Sequence, residues 1–417
     1  MLNSEKAFEE ISKTSQWNLV VIGGGATGLG IVVDAAHRGF KVLLLEKNDF
    51  AKGTSSRSTK LVHCGVRYLA HGNVKLVVEA LRERSFILAS APHLTQIIEF
   101  IIPVYSFFDK FFYAAGLLIY DFLACDLSPM RTKILGRKSV AERMPYIHKI
   151  KLKGGIAYSD GQFDDSRFAI TLALTASDLG GTVVNYTNVV GLKKDNGKII
   201  GVSFVDVIEY KYFDVCTKSV INAKGVFVDG ILALDDVSSP AVVKPSQGVH
   251  LVFDNKLFQT SDALMIPKTK DGRVLFAVPW LDVIVLGTTD TPQSKICEEP
   301  VALEEEINFM LVEFNLYNQV KITRADIKSI YAGLRPLVKT SNKRTSQASR
   351  DHDIIVSKSN LITITGGKWT TYRKMAKEAL NKAILVAELP NIKCSTRNLR
   401  LHGYLKSAVY GQPLSQY

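Results

Sequence analysis

Cysteine is scarce. The five cysteines, Cys64, Cys125, Cys216, Cys297 and Cys394, are odd in number and form no CxxC motif. That argues against a zinc knuckle or a disulfide framework and makes a reducing compartment the expected setting. An unbroken apolar run is also missing. The most apolar stretch, 97–124, is interrupted by Glu99, Asp109, Lys110 and Asp121. A membrane-spanning helix needs about 20 predominantly apolar residues. The stretch is expected to lie on a membrane surface or to form a buried helical hairpin. Residues 1–16 read as a polar lead, with Glu5, Glu9 and Glu10 and no apolar segment. An Arg-rich, acid-poor transit peptide or a secretory signal would look different. There is no internal repeat, low-complexity tract or EF-hand loop.

What is there points to a globular protein. A length of 417 residues corresponds to roughly two to three domains at about 150 residues each. Hydrophobic residues make up 47 % and charged residues 22 %, close to ordinary globular usage, which excludes disorder as the main state. Lys+Arg minus Asp+Glu gives 52 − 40 = +12. Such a balance suits nucleic acid, anionic lipid or an anionic substrate. The positive charge is dispersed and no nucleic-acid-binding motif is present, so no nucleic-acid partner is expected.

The front of the chain alternates cleanly. Asn18–Ile22 is a short apolar run, Gly23–Gly30 follows at once, a helical pattern covers Thr27–Arg38, and Lys41–Leu45 is a second apolar run closed by Glu46. This is strand, Gly turn, helix, strand. Residues 73–90 read as an amphipathic helix stopped by Pro92. From Gly154 to about Asp290, short β-rich runs such as Gly181–Tyr186, Lys198–Val207 and Val249–Phe253 suggest an antiparallel sheet. Residues 303–319 read as helix. Leu361–Thr365, Gly366-Gly367 and a helical run to about Glu388 repeat a strand–turn–helix pattern near the end. Both ends are therefore expected to build one site around a β-rich middle.

Gly23-x-Gly25-x-x-Gly28 follows a strand and opens a helix. Its glycines, with Gly24, permit a tight turn, close approach of a pyrophosphate and close helix–strand packing. The helix start offers free N–H groups and a positive dipole to phosphate. Glu46 ends the second strand, where a carboxylate can take both ribose hydroxyls. The pattern predicts dinucleotide binding and does not separate FAD from NAD. Next comes the hydroxyl-rich segment Gly53–Leu69, in which Thr54, Ser55 and Ser58 can bond phosphate or flavin edges.

With that segment the chain resembles the FAD-dependent, mitochondrial-type sn-glycerol-3-phosphate dehydrogenases. The resemblance runs from about Asn18 to Arg400. It is carried by VIGGGATGLG, GTSSRSTKLVHCGVRYL, APHL, PSQGVH, DGRVLFAVPW, GTTDTP, GLRPLV and ITGGKWTTYR. It implies an α/β flavoprotein like glutathione reductase and D-amino-acid oxidase: a Rossmann-like FAD-binding domain carrying an antiparallel-sheet substrate domain. The implied division gives 17–95, 200–245 and 350–390 to FAD, 96–199 and 246–349 to substrate, and 391–417 to a remnant of the family's C-terminal region. The implied reaction oxidises sn-glycerol 3-phosphate to dihydroxyacetone phosphate, with FAD taking the hydride and a membrane quinone receiving the electrons. A related branch uses oxygen, and a degenerate, non-catalytic flavoprotein is the further alternative. Further implied partners are an anionic membrane surface and a second copy of the chain in a homodimer, and no metal. Localisation by resemblance is the mitochondrion or a derived organelle, peripheral to the membrane, with the cytoplasm as the alternative.

The same motifs assign residues. Arg67, Arg335, Arg350 and Lys368 are the candidates for the substrate phosphate, since guanidinium and ammonium groups suit an anion taken out of water. His63 and His250 are the candidate bases for the hydroxyl proton, and Arg67, Arg335 or Lys368 could instead hold the alkoxide. Gly366, Gly367 and Thr370 are expected at the flavin edge, where a helix start would stabilise an anionic reduced flavin. Two positions depart from the family pattern. Cys64 replaces a glycine that usually follows His63, and Lys224 and Val226 replace Thr and Pro in Asn222–Val226. Lys224 is expected either to meet the cofactor's pyrophosphate or to crowd it.

Overall fold

The computed structural model describes residues 2–63, 74–124, 130–339 and 352–405. Two main sheets organise them. The first has six strands in the spatial order His352–Val356, Ile362–Gly366, Val220–Asn222, Leu19–Ile22, Val42–Leu45, Thr182–Val184. Neighbours run parallel except for the pair His352–Val356 and Ile362–Gly366. Parallel strands are covered on both faces, so they read as continuous apolar runs. Leu19, Val21, Val42 and Leu44 share one core with the helices Ala26–His37, Asp165–Asp178 and Tyr372–Val386. Val20, Ile22, Leu43 and Leu45 share the opposite core with an antiparallel sheet of Thr187–Asp195, Lys198–Asp206 and Tyr212–Cys216. Each such side chain contributes about 1.5–3 kcal/mol on leaving water.

The second sheet has ten strands. Its longest pairing is antiparallel, Val243–Asp254 against Ile327–Val338. It continues through Val283–Gly287, Leu275–Trp280, Ala263–Ile266, Thr95–Val104, Gly154–Phe163 and Leu61–Val62. One neighbouring pair, Ala263–Ile266 with Thr95–Val104, is parallel. The helix Glu304–Asn315 covers Val249, Leu251 and Phe253 through Ile307, Met310 and Phe314.

Four expectations change. The 97–124 stretch is neither a hairpin of helices nor one element. It divides into the strand Thr95–Val104 and the helix Phe107–Ala124, at whose start Ser106 Oγ accepts the Phe108 N–H at 3.2 Å. The lead is ordered: Ser4–Lys13 is a helix whose Asn3 cap accepts the Lys6 N–H at 3.0 Å. Its Ile11 is buried in the core of the three-stranded sheet, and Phe8 stacks on Phe213. Within Gly181–Tyr186, Thr182–Val184 pairs parallel with Val42–Leu45, since a run of three residues carries no signal of strand direction. Thr182–Val184 and the 187–216 sheet pack with the first layer, although the expected division gives residues up to 199 to the substrate domain.

Candidate functional site

The Gly-rich turn leaves the first strand where the sheet opens. Gly23 has φ +112°, and a side chain there would come 2.7 Å from the Ala223 carbonyl oxygen. A Cβ on Gly28 would lie 1.8 Å from the Gly23 carbonyl oxygen. Only glycine allows this closeness at either position. The turn borders a cleft of about 270 Å³ lined by Gly23, Gly25, Glu46, Ser55, Lys224, Gly366 and Lys368, among others. Glu46 is tied to the turn, accepting the Gly24 N–H at 2.6 Å and the Asn48 N–H at 2.8 Å. Ser55 Oγ accepts the Ala26 N–H at 3.0 Å, at the start of the helix.

A second cleft of about 190 Å³ adjoins the first, and Thr54, Pro336, Gly366, Gly367, Lys368 and Trp369 line both. It brings together His63, His250, Arg335 and Lys368 with Ser58, Gly366, Gly367 and Thr370. Cys64, Arg67 and Arg350 lie outside the described residues. Arg335 sits on Ile327–Val338 opposite Ser246. Its Nη2 donates to Thr288 Oγ1 at 2.9 Å and its Nη1 to the Gln247 carbonyl at 3.3 Å, 3.5 Å from Asp290 Oδ1.

His250 is buried on Val243–Asp254 and stacks on its cross-strand partner Tyr331, with ring centres 4.7 Å apart. Its Nε2 lies 2.9 Å from Thr59 Oγ1, while Nδ1 has no partner among the described residues. Burial holds this imidazole well below its ordinary pKa, and Arg335 and Lys60 push it in the same direction. It is therefore neutral at neutral pH. Burial also raises the Tyr331 hydroxyl far above the usual phenol value, which keeps it a donor to the Ser58 carbonyl at 2.9 Å.

The expected cofactor hydroxyls divide. Ser55 stays at the helix start. Thr54 donates to the Leu334 carbonyl at 2.5 Å, Ser58 to Asp165 Oδ2 at 2.7 Å, and Thr370 to the His63 carbonyl at 3.0 Å. The helix Tyr372–Val386 begins after a tight turn at Trp369–Thr371.

Comparison with known proteins fits this arrangement. The family model of the FAD-dependent oxidoreductases matches residues 18–373. The mitochondrial glycerol-3-phosphate dehydrogenase of Saccharomyces cerevisiae is 37 % identical over 439 residues, covering 95 % of this chain and 68 % of the yeast protein. The chain belongs to the FAD-dependent glycerol-3-phosphate dehydrogenase family. Its human relative is 41 % identical over 409 residues, 94 % of this chain and 56 % of the human protein. The chain thus spans just over half the length of its mammalian relatives. The glycerol-3-phosphate dehydrogenase of Bacillus halodurans, solved with FAD, superposes with a TM-score of 0.79 at 33 % identity, over 97 % of this chain and 71 % of that one.

The residues present fit the family's cofactor. The close turn at Gly23 and Gly28, the helix start behind it, the carboxylate of Glu46 and a cleft running on into the second cavity suit an extended dinucleotide ending in a flavin. Sequence reasoning passed over Arg57, Thr59 and Tyr331. Arg57 lines the second cleft, its Nη2 2.6 Å from Glu299 Oε2. Arg57 and Thr59 lie inside the hydroxyl-rich motif, and Tyr331 stands four residues before Arg335 on the same strand face. Those spacings were the available signal.

Proposed function

We propose that this chain oxidises sn-glycerol 3-phosphate to dihydroxyacetone phosphate and passes the electrons to a membrane quinone. The observation that carries the reading is a buried imidazole in one cleft with guanidinium and ammonium donors. Arg335 and Lys368 take the substrate phosphate, joined by Arg67 and Arg350 on the strength of the motifs that contain them. His250 takes the hydroxyl proton as the adjoining C–H bond breaks, a task suited to an imidazole that is unprotonated at neutral pH. Thr59 orients the His250 ring through Nε2, and Thr370 fixes the backbone at His63. FAD, when bound, supplies the hydride acceptor. The names of the relatives support this substrate.

The quinone reading draws support from the helix Phe107–Ala124. Phe107, Phe108, Phe111, Phe112, Leu118, Ile119 and Phe122 are each more than half exposed and recur at the spacing of one helical face. Among the described residues no helix is long and apolar enough to cross a membrane. Exposed Arg131, Lys133, Lys138, Lys149, Lys151 and Lys153 follow in sequence, with Lys153 Nζ 5.2 Å from the Phe107 ring centre. An apolar face beside basic residues suits in-plane attachment to an anionic bilayer. The relatives' mitochondrial names support a mitochondrial membrane as its location.

The test is a visible spectrum of the FAD-supplemented protein before and after anaerobic sn-glycerol 3-phosphate, followed by quinone or oxygen. Bleaching of the flavin band and recovery with quinone are expected. Recovery with oxygen alone, releasing stoichiometric peroxide, would make it an oxidase. A flavin that the substrate never bleaches would defeat the substrate assignment.

A further inference from the structure

Lys224 gives the cofactor cleft a cation that the Gly-rich turn does not supply. It follows the strand Val220–Asn222, and its backbone abuts the turn: a Cβ on Gly23 would come 2.9 Å from the Lys224 Cα. Its amide lies 3.4 Å from Asn222 Oδ1, and Asn222 Nδ2 donates to the Val228 carbonyl at 3.0 Å. The backbone is thus anchored while the side chain lines the cleft.

The neighbouring charges are already matched. Lys47 pairs with Glu298 at 2.5 Å and Lys52 with Glu299 at 3.2 Å. Glu46 is occupied by the Gly24 and Asn48 amides. Lys224 is half-buried and makes no ion pair among the described residues. Burial lowers its pKa, opposed by the nearby carboxylate of Glu46. Glu46 and Glu298 lie near this ammonium but neither forms an ion pair with it, and a partly desolvated ammonium without a contacting anion is costly. A diphosphate arriving at the adjacent turn would supply that contact and accept a charge-assisted hydrogen bond.

We infer that the Lys224 ammonium binds the diphosphate of the dinucleotide cofactor, beside the Gly23–Gly28 turn. The inference rests on the family's cofactor and is independent of the proposed substrate.

The test titrates the flavin-free full-length chain with FAD, ADP and adenosine, following flavin fluorescence or binding heat. Lys224→Gln is expected to weaken FAD and ADP about tenfold, the scale of a hydrogen bond to a charged group, and to leave adenosine unchanged. Lys224→Arg should retain most of the affinity. Equal weakening of adenosine, no weakening, or tighter binding by Lys224→Gln would overturn the inference, the last because it would mean that Lys224 crowds the cleft. A wild-type measurement stands beside the variants. Acylation of lysines read by mass spectrometry should show Lys224 protected by ADP and not by adenosine, with exposed Lys218 reactive throughout. Equal protection by adenosine would also overturn it. A wild-type chain that binds neither FAD nor ADP would refute the cofactor itself, a failure distinct from that of Lys224.

Discussion

Arg84 and Asp160 form an ion pair sealed from solvent, Nη1 to Oδ1 2.7 Å, with side chains 0 % and 3 % exposed. Arg84 belongs to the helix Val74–Ser90 and Asp160 to a strand of the large sheet. The preceding residue, Glu83, turns the other way and pairs with Arg373 on the helix Tyr372–Val386 of the first layer. One helix thus fastens both layers through two adjacent residues. Arg84→Met strips Asp160 of this counter-charge in a buried site and should cost about 3–5 kcal/mol, read from the urea midpoint. Adding Asp160→Leu should recover part of the loss. A loss below about 1 kcal/mol would put the pair on the level of a surface bridge.

Acid should weaken the fold through its buried imidazoles. Burial holds both His93 and His250 below their ordinary value. In the unfolded chain each takes a proton near 6.5, whereas the folded chain resists protonation until lower pH. The unfolded state therefore binds more protons below about pH 6.5, and stability falls as pH falls through that range. The urea midpoint should be lower at pH 5 than at pH 7, and His250→Asn should narrow the difference. An unchanged difference would mean that His250 does not contribute to it.

Substitutions in the second cleft should separate proton transfer from anion binding. His250→Asn should lower kcat by about 10² to 10⁴, the usual contribution of a positioned base, with little change in KM. Arg335→Met should raise KM about tenfold or more, as loss of a charged hydrogen bond would. Steady-state kinetics with a soluble electron acceptor read both. A His63→Asn variant that loses kcat while His250→Asn keeps it would move the base to His63.

The exposed face of Phe107–Ala124 should be separable from the chemistry. Phe108, Phe111 and Phe122 are 76 %, 77 % and 79 % exposed, so serine there removes little internal packing. Each phenylalanine inserted in a bilayer contributes about 1.5–3 kcal/mol. The triple serine variant should stop pelleting with anionic liposomes, yet still let sn-glycerol 3-phosphate bleach the flavin. Undiminished pelleting would sink the docking role of this helix.

Much of the cofactor layer was legible, because glycine, apolar run and terminal acid occur in a fixed order around Gly23 and Glu46. His63, His250, Arg335 and Lys368, more than 300 residues apart at the extremes, line one cleft. Other parts were not legible, for physical reasons. Thr182–Val184 is too short to declare its direction, and parallel pairing is a property of the partner strand. The helix Ser4–Lys13 reads as polar because its apolar side is narrow, namely Ala7, Phe8 and Ile11. In 97–124 the apolar content hid a change from strand to helix, since Phe100–Val104 is buried on both faces while the helix Phe107–Ala124 keeps an exposed apolar face. The placement of Thr370 against His63 depends on folding that joins residues 307 apart.

The two clefts share a wall made of Thr54, Pro336, Gly366, Gly367, Lys368 and Trp369. A ligand on one side of that wall touches residues that also bound the other. Where occupancy of one cleft changes affinity in the other, the linkage works equally in both directions. If substrate binds more tightly when the dinucleotide is in place, the dinucleotide must be held more tightly by the same factor when substrate is present. A chain kept supplied with its substrate would in that case retain its cofactor through dilution that strips it from the idle protein.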